Sequence, residues 1–234
     1  SIYPGRIDLG LGRAPGTDQV TAMALRRNNL NTSFYFKDDI QELQQYLDEN
    51  NAQAKVRAFP GEGLDIPIYI LGSSTDSAYL AAELGLPYAF AAHFAPAMLK
   101  QATEIYHEKF QPSQYLQKPY FIICVNIVAA ATVEEAHFQS TSLFNMFAGI
   151  LTNLRKPLSP PTEKPIYDGI PEIEQAVQSM VNCTFIGTEK EIREDVLAFA
   201  EQYQADEIMT TNYIFDAKKR LESFDIIAKA LIQN

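Results

Sequence analysis

A chain of 234 residues, 47% hydrophobic and 21% charged, is long enough to bury one sizeable core and has the make-up of an ordinary globular protein. Its 29 acidic side chains against 19 basic ones leave a net charge of −10, which excludes the broad basic face a nucleic-acid partner needs but not a local cationic pocket for a small anion. The longest apolar run, PYFIICVNIVAAA, is too short to span a bilayer and no secretory leader is visible, so a cytoplasmic protein without a membrane partner is expected.

Strand and helix patterns alternate along the chain. RIDLGLG (6–12) is the first strand, with Ile7, Leu9 and Leu11 on one face and Asp8, Gly10 and Gly12 on the other. Gly16 and Thr17 open a helix, DQVTAMALRR, and DDIQELQQYLDEN forms a second; the basic AKVRAFPG is an excursion. IPIYILGSS is the second strand, followed by the helix TDSAYLAAELG, whose Gly85 suits the left-handed position that ends a helix. PYAFAAHF and PYFIICVNIVAA are the third and fourth strands, each with a helix behind it. Pro157, Pro160, Pro161, Pro165 and Pro171 make 155–172 a loop or insertion. Thr188 and Glu191 have the spacing of a capping box that opens KEIREDVLAFAEQYQ. EIMTTNYIF is the fifth strand, and DAKKRLESFDIIAKALIQ closes the chain as an amphipathic helix.

The strands are rich in Ile, Val, Phe and Tyr on both faces, as in a parallel sheet covered by helices. The fold class is therefore α/β. Two architectures fit, an open doubly wound sheet and a (β/α)8 barrel; five strands suit the first and are three short of the second.

In either architecture ligands gather where strands end. Arg13 lies just past the first strand, and a guanidinium there can grip a phosphate with two parallel bonds or pair with a carboxylate such as Asp18. Gly10 and Gly12 clear one strand face, for a flat ligand or for tight packing. Their spacing to Gly16 departs from the dinucleotide fingerprint. After the second strand come Gly72, Ser73, Ser74, Thr75, Asp76 and Ser77, then helix. The amides of a first helical turn attract anions, and the hydroxyls of Ser74 and Ser77 either complete such a site or cap the helix. Asp76 works against an anion there. His93 sits at the end of the third strand, whereas His107 and His137 fall on helices. Cys124 and Cys183 lack metal-ligand spacing and read as reduced core thiols, and no metal site is expected.

YPGRIDLGLGRAPGTD, IPIYILGSSTDSAYLAAELGLPYAFAAHFAP and IGTEKEIREDVLAFAEQYQADEIMTTNYIFD resemble, in order, the bacterial luciferase-like flavin monooxygenases. The resemblance implies the (β/α)8 barrel, with residues 1–234 as one partial-barrel domain: the C-terminal two-thirds, about five of eight units, the first three absent. Such a sheet cannot close by itself, so the chain is expected to be a fragment or to be completed by another copy. The resemblance implies FMN, its reduced form serving as co-substrate. Arg13 falls on the family's phosphate-holding arginine, and Ser74 and Ser77 on its hydroxyl positions. Gly12 replaces a cysteine of luciferase and Ser73 a glutamate, so those two side-chain roles do not carry over, while both positions stay among the expected cofactor-binding residues with Arg13, Ser74 and Ser77. Ala92 and His93 fall near the flavin ring or substrate, and His93 is the candidate for the substrate pocket; no catalytic acid or base is assigned. The implied reaction uses reduced flavin and O2 to oxygenate an aldehyde or other small organic molecule. A separate flavin reductase and a homodimer of the full-length protein are the implied partners. The alternative is a non-catalytic flavin-binding protein with a truncated barrel.

Overall fold

The computed structural model describes residues 1–13, 21, 24 and 35–232. The helix expected from Gly16 and Thr17 lies outside these residues except for Thr21 and Ala24, which are both helical. The chain divides into two compact units, 1–72 with 76–88 and 105–119, and 73–75 with 89–104 and 120–234.

In the first unit, β1 (Leu9–Gly12) pairs in parallel with β2 (Ile68–Gly72), Leu9 opposite Ile68 and Gly12 opposite Leu71. Parallel neighbours need a long crossover, and α1 (Phe36–Leu47) lies within it. Asp38 and Asp39 sit in its first turn, where the helix dipole favours anions, and Ile40 is its buried residue. The helix α2 (Thr75–Leu84) follows β2. Ala78, Ala81 and Ala82 are fully buried, so small side chains line its packed face. Gly85 then has φ +60°, as expected, and its neighbour Leu86 offers a carbonyl to the Tyr106 hydroxyl at 2.9 Å.

In the second unit β4 (Phe121–Ala129) is central, with every residue but Cys124 buried. It pairs in parallel with β5 (Thr184–Gly187) over 126–129 and with β6 (Glu207–Thr211) over 122–126. The amides of Asn126 and Ala130 donate to the Cys183 and Gly187 carbonyls, while the Phe121 carbonyl accepts from Asp206. Even- and odd-numbered residues of a strand present their backbone groups to opposite edges, so β5 and β6 flank β4. Four helices belong wholly to this unit: α4 (Val133–Leu151), α5 (Pro171–Met180), α6 (Glu189–Gln202) and α7 (Ala217–Leu231). Leu143, Phe147 and Ala148 of α4 pack with Tyr167, Val177 and Val181 into a hydrophobic core. The capping box of Thr188 and Glu191 opens α6, and Asp216 caps α7 by accepting from the Lys219 amide. The short strand β3 (Tyr88–Phe90) and the helix α3 (Leu99–Lys109) each run across the division between units.

Three expectations need correction. The described residues hold six strands, not five. The extra one, TFIG, is only four residues long and runs straight into the capping box, which hid it. The proline-rich segment 155–172 ends early, because Pro171 is the first residue of α5 and not part of a loop. A proline is at home there, where its missing N–H would have no partner anyway. Burial on both faces holds for β4 but not for β1 or β6, which alternate or stay half-exposed.

Candidate functional site

The parallel pairing of β1 with β2 brings the C-terminal ends of both strands to the same side. Arg13, one residue past β1, places its guanidinium 3.0 Å from the Asp76 carboxylate in the first turn of α2. Asp18, the carboxylate named as a possible partner of Arg13, lies outside the described residues. The Arg13 and Asp76 side chains are 46% and 66% exposed, so solvent screens the pair and it adds little to stability. Next to Asp76, the Ser77 hydroxyl shares a 2.9 Å hydrogen bond with the Tyr88 hydroxyl. Burial pushes the Tyr88 phenol above the usual tyrosine range, against the opposing effect of Ser77.

The glycines explain how closely this end is packed. A Cβ on Gly72 would fall 2.0 Å from Ser77 Oγ, so only glycine lets α2 start this near to β2. A Cβ on Gly10 would meet the Leu71 side chain at 2.8 Å, so tight packing explains Gly10. At Gly12 the nearest atoms stand at 3.5 and 3.6 Å, ordinary contact distance, and the residue is exposed. The first unit therefore brings together Gly12, Arg13, Asp76 and Ser77. Ser73 and Ser74 follow Gly72 directly in the chain, are half-buried, and belong to the second unit.

In the second unit His93 follows β3, beyond the fully buried Ala92. Burial lowers its pKa, opposed by a hydrogen bond to the Cys124 backbone. Its ring meets Phe94 edge-on with centroids 4.7 Å apart. The His93 carbonyl accepts from Asn126 Nδ2 at 2.6 Å. Asn126, which the sequence reading did not single out, thereby holds the backbone of the segment that carries His93. The signal was there: an amide within the apolar run IICVNIVAA must find partners when the strand is buried. His137 is exposed and His107 half-buried, each on its helix. Cys124 and Cys183 are free thiols, both pushed by burial to a pKa of about 11.

Parallel strands joined through helices define a protein of the β/α class. The family model for luciferase-like monooxygenases matches residues 1–206. A luciferase-like monooxygenase of Escherichia coli strain K12 is 42% identical over 226 residues, 97% of this chain and 68% of the relative. Among solved structures, apo-MsnO8 is 27% identical with a TM-score of 0.86, over 98% of this chain and 69% of that one. The FMN complex of the oxygenating constituent of 3,6-diketocamphane monooxygenase from Pseudomonas putida shares the fold at a TM-score of 0.59 and 17% identity, over 97% and 70% of the two chains. The chain belongs to the luciferase-like monooxygenase family, and is an oxidoreductase. No helix among the described residues is long and apolar enough to cross a membrane.

Proposed function

We propose that this chain binds FMN and uses its reduced form with O2 to oxygenate a small organic substrate, an aldehyde being the first to test. The observation that carries the reading is the Arg13 guanidinium at the end of β1, set against the first turn of α2. The donors fit a phosphate. A guanidinium offers paired N–H groups, Ser77 offers a hydroxyl, and exposed Gly12 leaves the backbone open to approach. The complex of FMN with a fold-related oxygenase supports the choice of cofactor.

Arg13, Ser73, Ser74 and Ser77 would hold the phosphate, with Gly12 beside it. Asp76 engages one nitrogen of the guanidinium, so phosphate and carboxylate would share one cation. Ala92 and His93 would line the substrate pocket at the end of β3. The bound flavin would supply the activation of O2, and the protein a dry, shaped enclosure. The chain would contribute to a (β/α)8 barrel, residues 1–234 forming one domain of the luciferase type. A separate reductase would supply the reduced flavin, and the full-length protein would act as a homodimer.

Fluorescence titration with FMN tests the binding. Oxygen uptake with reduced FMN, with and without long-chain aldehydes, tests the reaction. Binding without any substrate-dependent uptake, across a panel of small organic substrates, would assign the chain a flavin-holding role instead. Absence of FMN binding would remove both readings.

A further inference from the structure

Ser77 is the third residue of α2, and two neighbours fix where its hydroxyl sits. Gly72, the last residue of β2, lacks the Cβ that would fall 2.0 Å from Ser77 Oγ, so the hydroxyl fills the space a side chain there would take. That same Cβ position is 3.6 Å from Cε2 of Tyr88, so the tyrosine ring borders the space. The Tyr88 hydroxyl meets Ser77 Oγ at 2.9 Å. Without such neighbours a serine hydroxyl turns among three staggered positions.

Tyr88 serves as an anchor because it is anchored itself. It opens β3 and is fully buried. The carbonyl of Pro87, just before it, accepts from the Ile70 amide at 2.9 Å, which sets Tyr88 beside β2. Its ring packs on that of the fully buried Tyr106, with centroids 5.4 Å apart, and the Tyr106 hydroxyl donates to the Leu86 carbonyl at 2.9 Å. Burial keeps the Tyr88 phenol protonated well above neutral pH, so its O–H is there to donate.

A phosphate would set the direction of the Tyr88–Ser77 bond. Its oxygens accept, so Ser77 would give them its one hydroxyl hydrogen, and Ser77 Oγ would accept from Tyr88. A chain of hydroxyls that all point one way strengthens each of its bonds.

We propose that Tyr88 is a positioning residue for phosphate: it holds Ser77 Oγ over Gly72 and donates to it while Ser77 donates to the phosphomonoester of FMN. This rests on the reading that the FMN phosphate binds at Arg13 and Ser77. Arg13, Gly72, Ser77, Tyr88 and Tyr106 all belong to the first unit.

Riboflavin has the ring of FMN without the phosphate, so the ratio of the two affinities on one protein isolates the phosphate site. Fluorescence titration of the full chain should show FMN bound more tightly than riboflavin. Tyr88→Phe should cut that preference about three- to tenfold and leave riboflavin affinity unchanged. Ser77→Ala should cut it about tenfold or more. Tyr88→Phe added to Ser77→Ala should cut it no further, because the hydroxyl it positions is gone. A merely structural tyrosine would weaken both flavins together, and its effect would add to that of Ser77→Ala. Should Tyr88→Phe fail to fold, the unaltered protein decides. In proton spectra of the tyrosine-labelled chain, the buried Tyr88 hydroxyl should shift downfield on saturation with FMN and stay in place with riboflavin. If FMN is preferred yet Tyr88→Phe keeps the full preference, or the Tyr88 hydroxyl proton responds to both flavins alike, the proposal is overturned and the flavin reading survives. If the unaltered protein binds the two flavins equally, the phosphate reading falls with it. If FMN does not bind, the flavin reading falls as well.

Discussion

Arg13 and Asp76 hold each other at 3.0 Å, although 63 residues separate them in the chain. The cation proposed to meet a phosphate thus already has an anion, and the anion belongs to the first turn of the helix that would share the work. Removing the two partners should have opposite effects. Arg13→Ala should weaken FMN binding by at least about 1.5 kcal/mol, the loss of a charge-assisted contact. Asp76→Asn should tighten it, because a competitor is gone. Fluorescence titration reads both. Weaker binding by Asp76→Asn would mean that the carboxylate helps to seat the ligand rather than to exclude it.

The two thiols should be inert near neutral pH. Burial raises both to about 11, so the thiolate is a minute fraction at pH 7.5 and grows as pH rises toward that value. Iodoacetamide should label the native protein slowly, roughly tenfold faster for each unit of pH, and the urea-unfolded chain quickly. Rapid labelling of native protein at pH 7.5 would contradict the burial that the structure gives these residues.

Gly85→Ala should destabilise by about 1–3 kcal/mol, seen as a lower midpoint of thermal unfolding. Two costs add: φ is +60°, and a Cβ would lie 2.4 Å from the Gln111 carbonyl oxygen. Gly85→Asn separates them. Asparagine tolerates the left-handed backbone yet still carries the Cβ, so it should rescue little.

The capping box makes a prediction about acid. Thr188 holds the Glu191 carboxyl below its usual range, first through its hydroxyl and then through its amide, which donates at 2.9 Å. A depressed carboxyl stabilises the fold above its unfolded-state value, and that contribution disappears as pH falls through the folded value. Glu191→Gln should therefore flatten the acid side of the stability profile measured by urea unfolding. Thr188→Ala should cost about 1 kcal/mol at neutral pH. A steep acid limb retained in Glu191→Gln would assign that limb to other carboxyls.

Local chemistry was legible in the sequence wherever one residue decides the backbone. Gly85 was readable because only glycine is comfortable at positive φ, and the Thr188–Glu191 box because its two bonds span three residues. Long-range pairing was not. Nothing near Arg13 in the chain points to Asp76, 63 residues away. Gly10 left a flat ligand and tight packing equally open, and only the next strand, with Leu71 beside it, decides for packing. The four-residue β5 was too short to show a period, and Pro171 looked like one more loop proline. Asn126 stood in plain view as the one amide in an apolar strand, but its three partners come from His93, Thr184 and Thr211, far apart in the chain.

The two ladders on β4 meet at a single rung. Residues 122–126 answer to β6 and residues 126–129 to β5, with Asn126 counted in both. Pairing with β5 can therefore unzip from its far end down to this rung without disturbing the β6 side. Deuterium uptake should resolve two blocks: the Ala130 amide exchanging with the breathing of β5, the amides of β6 on a slower schedule, and Asn126 as the rivet at which the opening stops.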